Sequence, residues 1–173
     1  MICFLHNITW LRVLTLCLVL VGPFMIQVTA QSDSGLRAGH PTLLSPHSEP
    51  IAYHGGLIFV VNTPSDCLDV ISVKTDKIIA SIRTGIDPVS VSVRPDGKEV
   101  WVSNHISDSV SVIDNDKQSP TYLSVIATVQ EIDLNRKSTL FDEPVGIAFA
   151  NNDKAYVALS SNNQIAVIDV TAR

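Results

Sequence analysis

The chain has 173 residues, enough for one domain of ordinary size, with 12 Lys and Arg against 17 Asp and Glu and a formal net charge of −5. A mildly acidic chain with no basic run argues against nucleic acid as a partner, because phosphate binding needs clustered Lys and Arg. Three cysteines, Cys3, Cys17 and Cys67, are too few for a disulfide framework.

Residues 1–30 read as a segment to be set aside. Arg12 is their only charge, an apolar run follows from Val13 to Val21, and Val28-Thr29-Ala30 places small residues where a signal peptidase reads. This resembles a secretory signal peptide, cut between Ala30 and Gln31. The alternative is an uncleaved membrane anchor, but Gly22-Pro23 interrupts a stretch already short for a span of ~20 residues. The expected location is therefore secreted or periplasmic, with no membrane attachment after cleavage. Removing Arg12 takes the net charge from −5 to −6. Cys3 and Cys17 leave as well, so Cys67 stands alone as a small, half-buried residue beside a strand. Residues 31–49 are polar, rich in Ser, Gly and Pro, and read as an irregular leader.

From Pro50 the pattern is periodic. Leu57–Val61, Glu99–Ser103 and Lys154–Ala158 are apolar runs with an aromatic at the same place: Phe59, Trp101 and Tyr156. A polar loop follows each, and then a second run: 68–73, 110–115 and 165–170. The shift from the first copy to the second is 42 residues at both landmarks, and from the second to the third it is 55. Ahead of each pair stands an acidic residue and a proline: Glu49-Pro50, Asp87-Pro88 and Glu143-Pro144. Between 88 and 93 Val alternates with Ser, the two-residue period of a half-buried strand. Pro95-Asp96-Gly97 supplies a turn, with φ preset by proline and φ > 0 accepted by glycine. A fourth run, 77–85 or 122–130, completes the unit. The additional residues of the second unit lie around 117–122 and in 131–143, which read as loops.

A repeat of about 42 residues with four antiparallel strands is the signature of a propeller blade. The expected fold class is all-β, with blades at 50–85, 86–130 and 143–173 and the last lacking its outer strand, about 2.75 blades in all. The segments VWVSNHISDSVSVIDND and LIFVVNTPSDCLDVISV resemble YVTN-type β-propeller repeats, named for a Tyr-Val-Thr-Asn strand end. Here the tetrads are Phe59-Val60-Val61-Asn62, Trp101-Val102-Ser103-Asn104 and Tyr156-Val157-Ala158-Leu159; the third lacks the asparagine. The resemblance covers roughly residues 50–170. Propellers close with four to eight blades, so the sequence reads as the N-terminal part of a longer propeller. The rival is closure by self-association.

Chemistry is sparse. No Gly-x-Ser-x-Gly, glycine-rich phosphate loop, His-Glu-x-x-His or Cys-x-x-Cys-His occurs. His40, His47 and His54 recur every seven residues without convergent metal spacing, so no metal or cofactor is expected. Asp114-Asn115-Asp116 lacks the glycine and distal glutamate of a calcium loop and reads as a turn. Glu49, Asp87 and Glu143 precede the inner strands and form a candidate acidic ring at one mouth of the channel, Glu49 only if the first blade keeps register. Such a ring binds a cation or basic ligand, or is a solvated rim. No residue of this segment is assigned a catalytic role. The expected function is a binding scaffold for an unknown protein or small molecule. The resemblance also implies an alternative: part of a lactonase-like, haem or quinoprotein propeller enzyme whose catalytic residues lie beyond residue 173.

Overall fold

The structure is a computed structural model that describes residues 47–173. Residues 1–46, on which the expected signal segment and most of the expected leader fall, lie outside the described residues. Three antiparallel sheets follow one another, each built from consecutive strands. The first holds β1 (Ile51–His54), β2 (Leu57–Asn62), β3 (Cys67–Ser72) and β4 (Lys77–Arg83). The second holds β5 (Pro88–Val93), β6 (Glu99–Asn104), β7 (Ser109–Asp114) and β8 (Val125–Val129). A small hairpin, β9 (Ile132–Asp133) with β10 (Ser138–Thr139), precedes the third sheet of β11 (Pro144–Phe149), β12 (Lys154–Leu159) and β13 (Gln164–Asp169). These are two four-stranded blades and three strands of another, the incomplete all-β propeller that the repeat foretold.

The aromatic positions and their alternating neighbours explain the packing. Successive residues of a strand point to opposite faces, and the middle blade feeds a different core with each face. Val91, Val100, Val102 and Ile113 join Phe59, Leu68 and Val70 of the first blade. Trp101, Val110 and Val112 join Ala155, Val157 and Ile168 of the third. Every residue of β6 and β7 is buried as a result. The Val–Ser alternation of β5 thus serves packing between blades, enclosed from Pro88 to Val91 and half-buried at Ser92 and Val93. The buried serines of β5, β6 and β7 are satisfied within the blade: Ser90 Oγ donates to Ser103 Oγ at 3.0 Å, and Asn104 Nδ2 donates to Ser109 and Ser111 at 3.2 and 3.0 Å.

Residues 131–143 form the β9–β10 hairpin where a loop was expected. Phe141 at its end is 3% exposed and enters the core between the second and third blades. Apolar burial fixes the segment that polar composition had suggested was free. The third repeat keeps its turn without the asparagine: Leu159 goes into the core instead, and Asn163 takes the left-handed turn conformation with φ 51°.

Cys67 opens β3 and is buried. Burial first, and then the neighbouring Asp69 carboxylate, pushes its thiol above the ordinary value. Since the thiolate is the nucleophile, iodoacetamide at neutral pH should modify Cys67 far more slowly in the folded chain than in guanidinium. Peptide mass spectrometry reads the rate, and equal rates would refute the buried placement.

Candidate functional site

Antiparallel order puts the connections between blades and the β2–β3, β6–β7 and β12–β13 loops at one end of the sheets. Two of the three acidic candidates head inner strands there. Asp87 and Glu143 both adopt left-handed backbone, φ 62° and 48°. The strand that follows each is shifted in register at its start, between Pro88 and Ser90 and between Pro144 and Gly146. The backbone of each is held from two sides. The Asp87 carbonyl accepts from His105 N at 2.9 Å and the Glu143 carbonyl from Ser160 N at 3.0 Å. Their own amides donate to a carboxylate of the preceding blade: Asp87 N to Asp66 Oδ1 at 2.9 Å, Glu143 N to Asp108 Oδ1 at 3.0 Å.

Asp66 and Asp108 are thus latches between blades, and no motif in the sequence marks them. Their signal was available. They stand 42 residues apart, Asn163 follows 55 later, and all three are left-handed, a conformation in which Asp and Asn are enriched among non-glycine residues. The side chains of the candidates differ in setting. Asp87 is 9% exposed, whereas the half-buried Glu143 accepts from Ser160 Oγ at 3.3 Å through Oε2.

Glu49 has another place. The inner strand of the first blade pairs as the others do, Ile51 facing Val60 as Val91 faces Val102, but it lacks their bulge, so the Pro50 carbonyl accepts from Val61 N at 3.0 Å whereas Pro88 faces Asn104 at the end of β6. Glu49 forms a parallel bridge with Ser90, its carbonyl accepting from Val91 N at 2.8 Å, while Ser48 N donates to Val89 O at 3.3 Å. The strap formed by Ser48 and Glu49 therefore runs along the inner edge of β5. The structure gives Asp87 and Glu143 equivalent places on adjacent blades and leaves Glu49 outside that register. Among the described residues no group of three His, Cys, Asp or Glu side chains is arranged to hold a metal.

The histidines are dispersed. His47 Nε2 lies 2.8 Å from Thr63 Oγ1. His54 ends β1 against Gly97, whose φ of 74° and contact with the imidazole leave no room for a Cβ. His40 lies outside the described residues.

At the opposite end, the β1–β2 and β5–β6 turns and the segment after β7 enclose a cleft of about 310 Å³. Its acidic groups are already paired. Lys98 Nζ meets Asp116 Oδ2 at 3.2 Å, and Asp96 holds the Arg94 guanidinium at 2.8 Å. The Asp114-Asn115-Asp116 stretch is the expected turn. Asp114 Oδ1 accepts from Asp116 N at 2.9 Å, and Asn115 Nδ2 donates to Gly97 O at 2.8 Å.

Burial alone would raise the Asp114 carboxyl, but hydrogen bonds from Ser119, Thr121 and the Asp116 amide hold it below the ordinary value. Burial likewise opposes, and the Arg94 guanidinium with the Lys98 amide outweighs it, at Asp96. A carboxylate depressed in the folded state contributes stability above its unfolded value and loses it as pH falls through the folded one. The urea midpoint should therefore hold down to about pH 4 and fall below it, and less steeply in Asp114→Asn. A midpoint flat to acid would contradict these contacts.

Antiparallel sheets of consecutive strands, stacked face to face, are the architecture of a β-propeller. The solved structures that resemble the chain agree. It is similar to hydrazine synthase of Kuenenia stuttgartiensis, with a TM-score of 0.60 and 25% identity over 78% of this chain and 37% of that one. It is also similar to the β-propeller domain of Cps50 (Swd1) from Myceliophteria thermophila, with a TM-score of 0.54 and 15% identity over 75% and 36% of the two chains. The WD40 β-propeller domain of Doa1 gives a TM-score of 0.51 and 10% identity over 70% and 35%. The chain thus spans little more than a third of each. No family model and no curated protein matches it.

Proposed function

We propose that the chain is part of a secreted or periplasmic propeller scaffold, of the YVTN-repeat type, that binds a cationic ligand or basic protein segment at the end where its inner strands begin. The observation behind this reading is the repeated placement of Asp87 and Glu143, each fixed in left-handed backbone by a latch from the blade before. Rigid elements present a binding group more reproducibly than free loops do. The rest of the segment supplies packing rather than chemistry: the buried serines of its second blade are hydrogen-bonded within that blade and its one described cysteine is buried.

The test is binding of a short oligolysine peptide, followed by calorimetry. Asp87→Asn with Glu143→Gln should weaken it by tenfold or more at low salt, and added salt should weaken the unmodified chain in the same direction. Unchanged affinity in the double variant would refute the acidic mouth as the site.

The likeness to hydrazine synthase favours a second reading, in which the segment is the propeller portion of an oxidoreductase and the reacting groups lie outside these residues. A Cys-x-x-Cys-His haem motif in the same reading frame would support it.

A further inference from the structure

We propose that the cleft at the end away from Asp87 and Glu143 binds a small phosphate ester that also carries a hydroxyl. Its volume of about 310 Å³ lies at the small end of ligand pockets. Its walls are preformed. Asn115 clamps the β5–β6 turn twice, its backbone N donating to Lys98 O and its Nδ2 to Gly97 O, both at 2.8 Å. The same turn is held from the third blade, where Asn152 Oδ1 accepts from Asp96 N at 3.0 Å. Gly97 lies against the His54 ring of the first blade, so neighbouring blades fix the shape between them.

The carboxylates of this cleft are already committed. Asp96 receives the Arg94 guanidinium through both oxygens, each at 2.8 Å. Asp116 accepts from Lys98 Nζ at 3.2 Å and from Gln118 N at 3.0 Å. The cationic capacity is not. An ammonium group has three N–H donors, and the ion pair of Lys98 with Asp116 occupies one of them. Lys117 is exposed and has no ion pair among the described residues. The His54 imidazole lines the same cleft. Two ammonium groups and an imidazole suit a phosphate, which lysine binds as a point charge.

One acceptor stands against these donors. Asn115 is 8% exposed. The Gly97 carbonyl can only accept, so Nδ2 must face it, and Oδ1 is left over, buried and without a donor. A buried acceptor left unmade is costly. A hydroxyl beside the phosphate supplies that donor while the phosphate meets Lys98 and Lys117. The site shares no residue with the acidic mouth and does not rest on that reading.

Proton–nitrogen NMR of the 173-residue chain tests it, with inorganic phosphate and glycerol 1-phosphate as probes in separate titrations. Both should shift the amides of Gly55, Gly97 and Lys117 saturably, and the ester should bind more tightly. Lys117→Ala should weaken both by about tenfold, the loss of one charge-assisted contact. Lys74→Ala, in the β3–β4 turn and outside the cleft, should bind as the parent does. Lack of saturation, unchanged affinity in Lys117→Ala, or an equal loss in Lys74→Ala would overturn the phosphate site. An ester bound no more tightly than inorganic phosphate would overturn the part given to Asn115. Each of these results leaves the oligolysine test at the other end unaffected.

Discussion

Replacing Trp101 with alanine is expected to lower the free energy of unfolding by about 3–5 kcal/mol, the usual range for a buried Trp truncated to Ala. The side chain is 0% exposed and belongs to the core shared by the second and third blades. Its ring meets Phe149 edge-on, with centroids 5.1 Å apart and planes at 74°, an arrangement that adds to simple burial. The Arg173 guanidinium lies over the ring, 5.4 Å from its centroid. The indole, rooted in the second blade, is thus packed against two groups of the third. Urea titration by far-ultraviolet dichroism measures the loss, and a change below about 1 kcal/mol would show that the interface collapses around the missing ring.

The second large effect is expected at Glu99. Its carboxylate is enclosed by three donors: Trp101 Nε1 at 2.8 Å, Arg94 Nη1 at 3.0 Å and Arg173 Nη2 at 2.5 Å. The side chains of Arg94, Glu99 and Arg173 are only 15%, 10% and 13% exposed. Glu99→Ala leaves the Arg173 guanidinium and the indole N–H without their shared acceptor, while Arg94 keeps its pair with Asp96. Removing one partner of a buried ion pair costs about 3–5 kcal/mol, because the remaining charge stays desolvated. Glu99→Gln keeps one acceptor for the indole and should fall between parent and Ala. Since Glu99 and Trp101 touch, the losses in a double variant should not add, with a coupling of about 0.5–3 kcal/mol. Additive losses would mean that carboxylate and ring act independently.

Much of this architecture is legible in the sequence because it is repeated locally. Phe59, Trp101 and Tyr156 mark the same strand in three units, and the equal shifts at Leu68, Val110 and Ile165 give strand order without any long-range information. What stays hidden depends on neighbours far along the chain. Ser90 and Ser103 look solvent-facing until a blade is placed on each side of them. Glu99 resembles an ordinary strand-edge charge until Arg173, 74 residues later, folds back on it. Of the candidate site, Asp87 and Glu143 follow from their place before proline. Glu49 shares the dipeptide but not the register, because the first blade has no bulge at its inner strand and the strap carries the residue onto β5. Asp66 and Asp108 were readable from spacing alone, yet their acceptor role appears only once the next blade's amide is in place.

The strap has a consequence for the order in which the chain can assemble. Strands within each sheet are sequential neighbours, so their pairing closes only short loops and is entropically cheap. The bridge between Glu49 and Ser90 is different: it spans the whole first blade and forms only after β5 has reached its place. Once made, it ties both ends of that blade to the second, since Asp87 already anchors the exit through Asp66. The first sheet is then a closed loop on its neighbour, and it can detach as a unit only by releasing both ends.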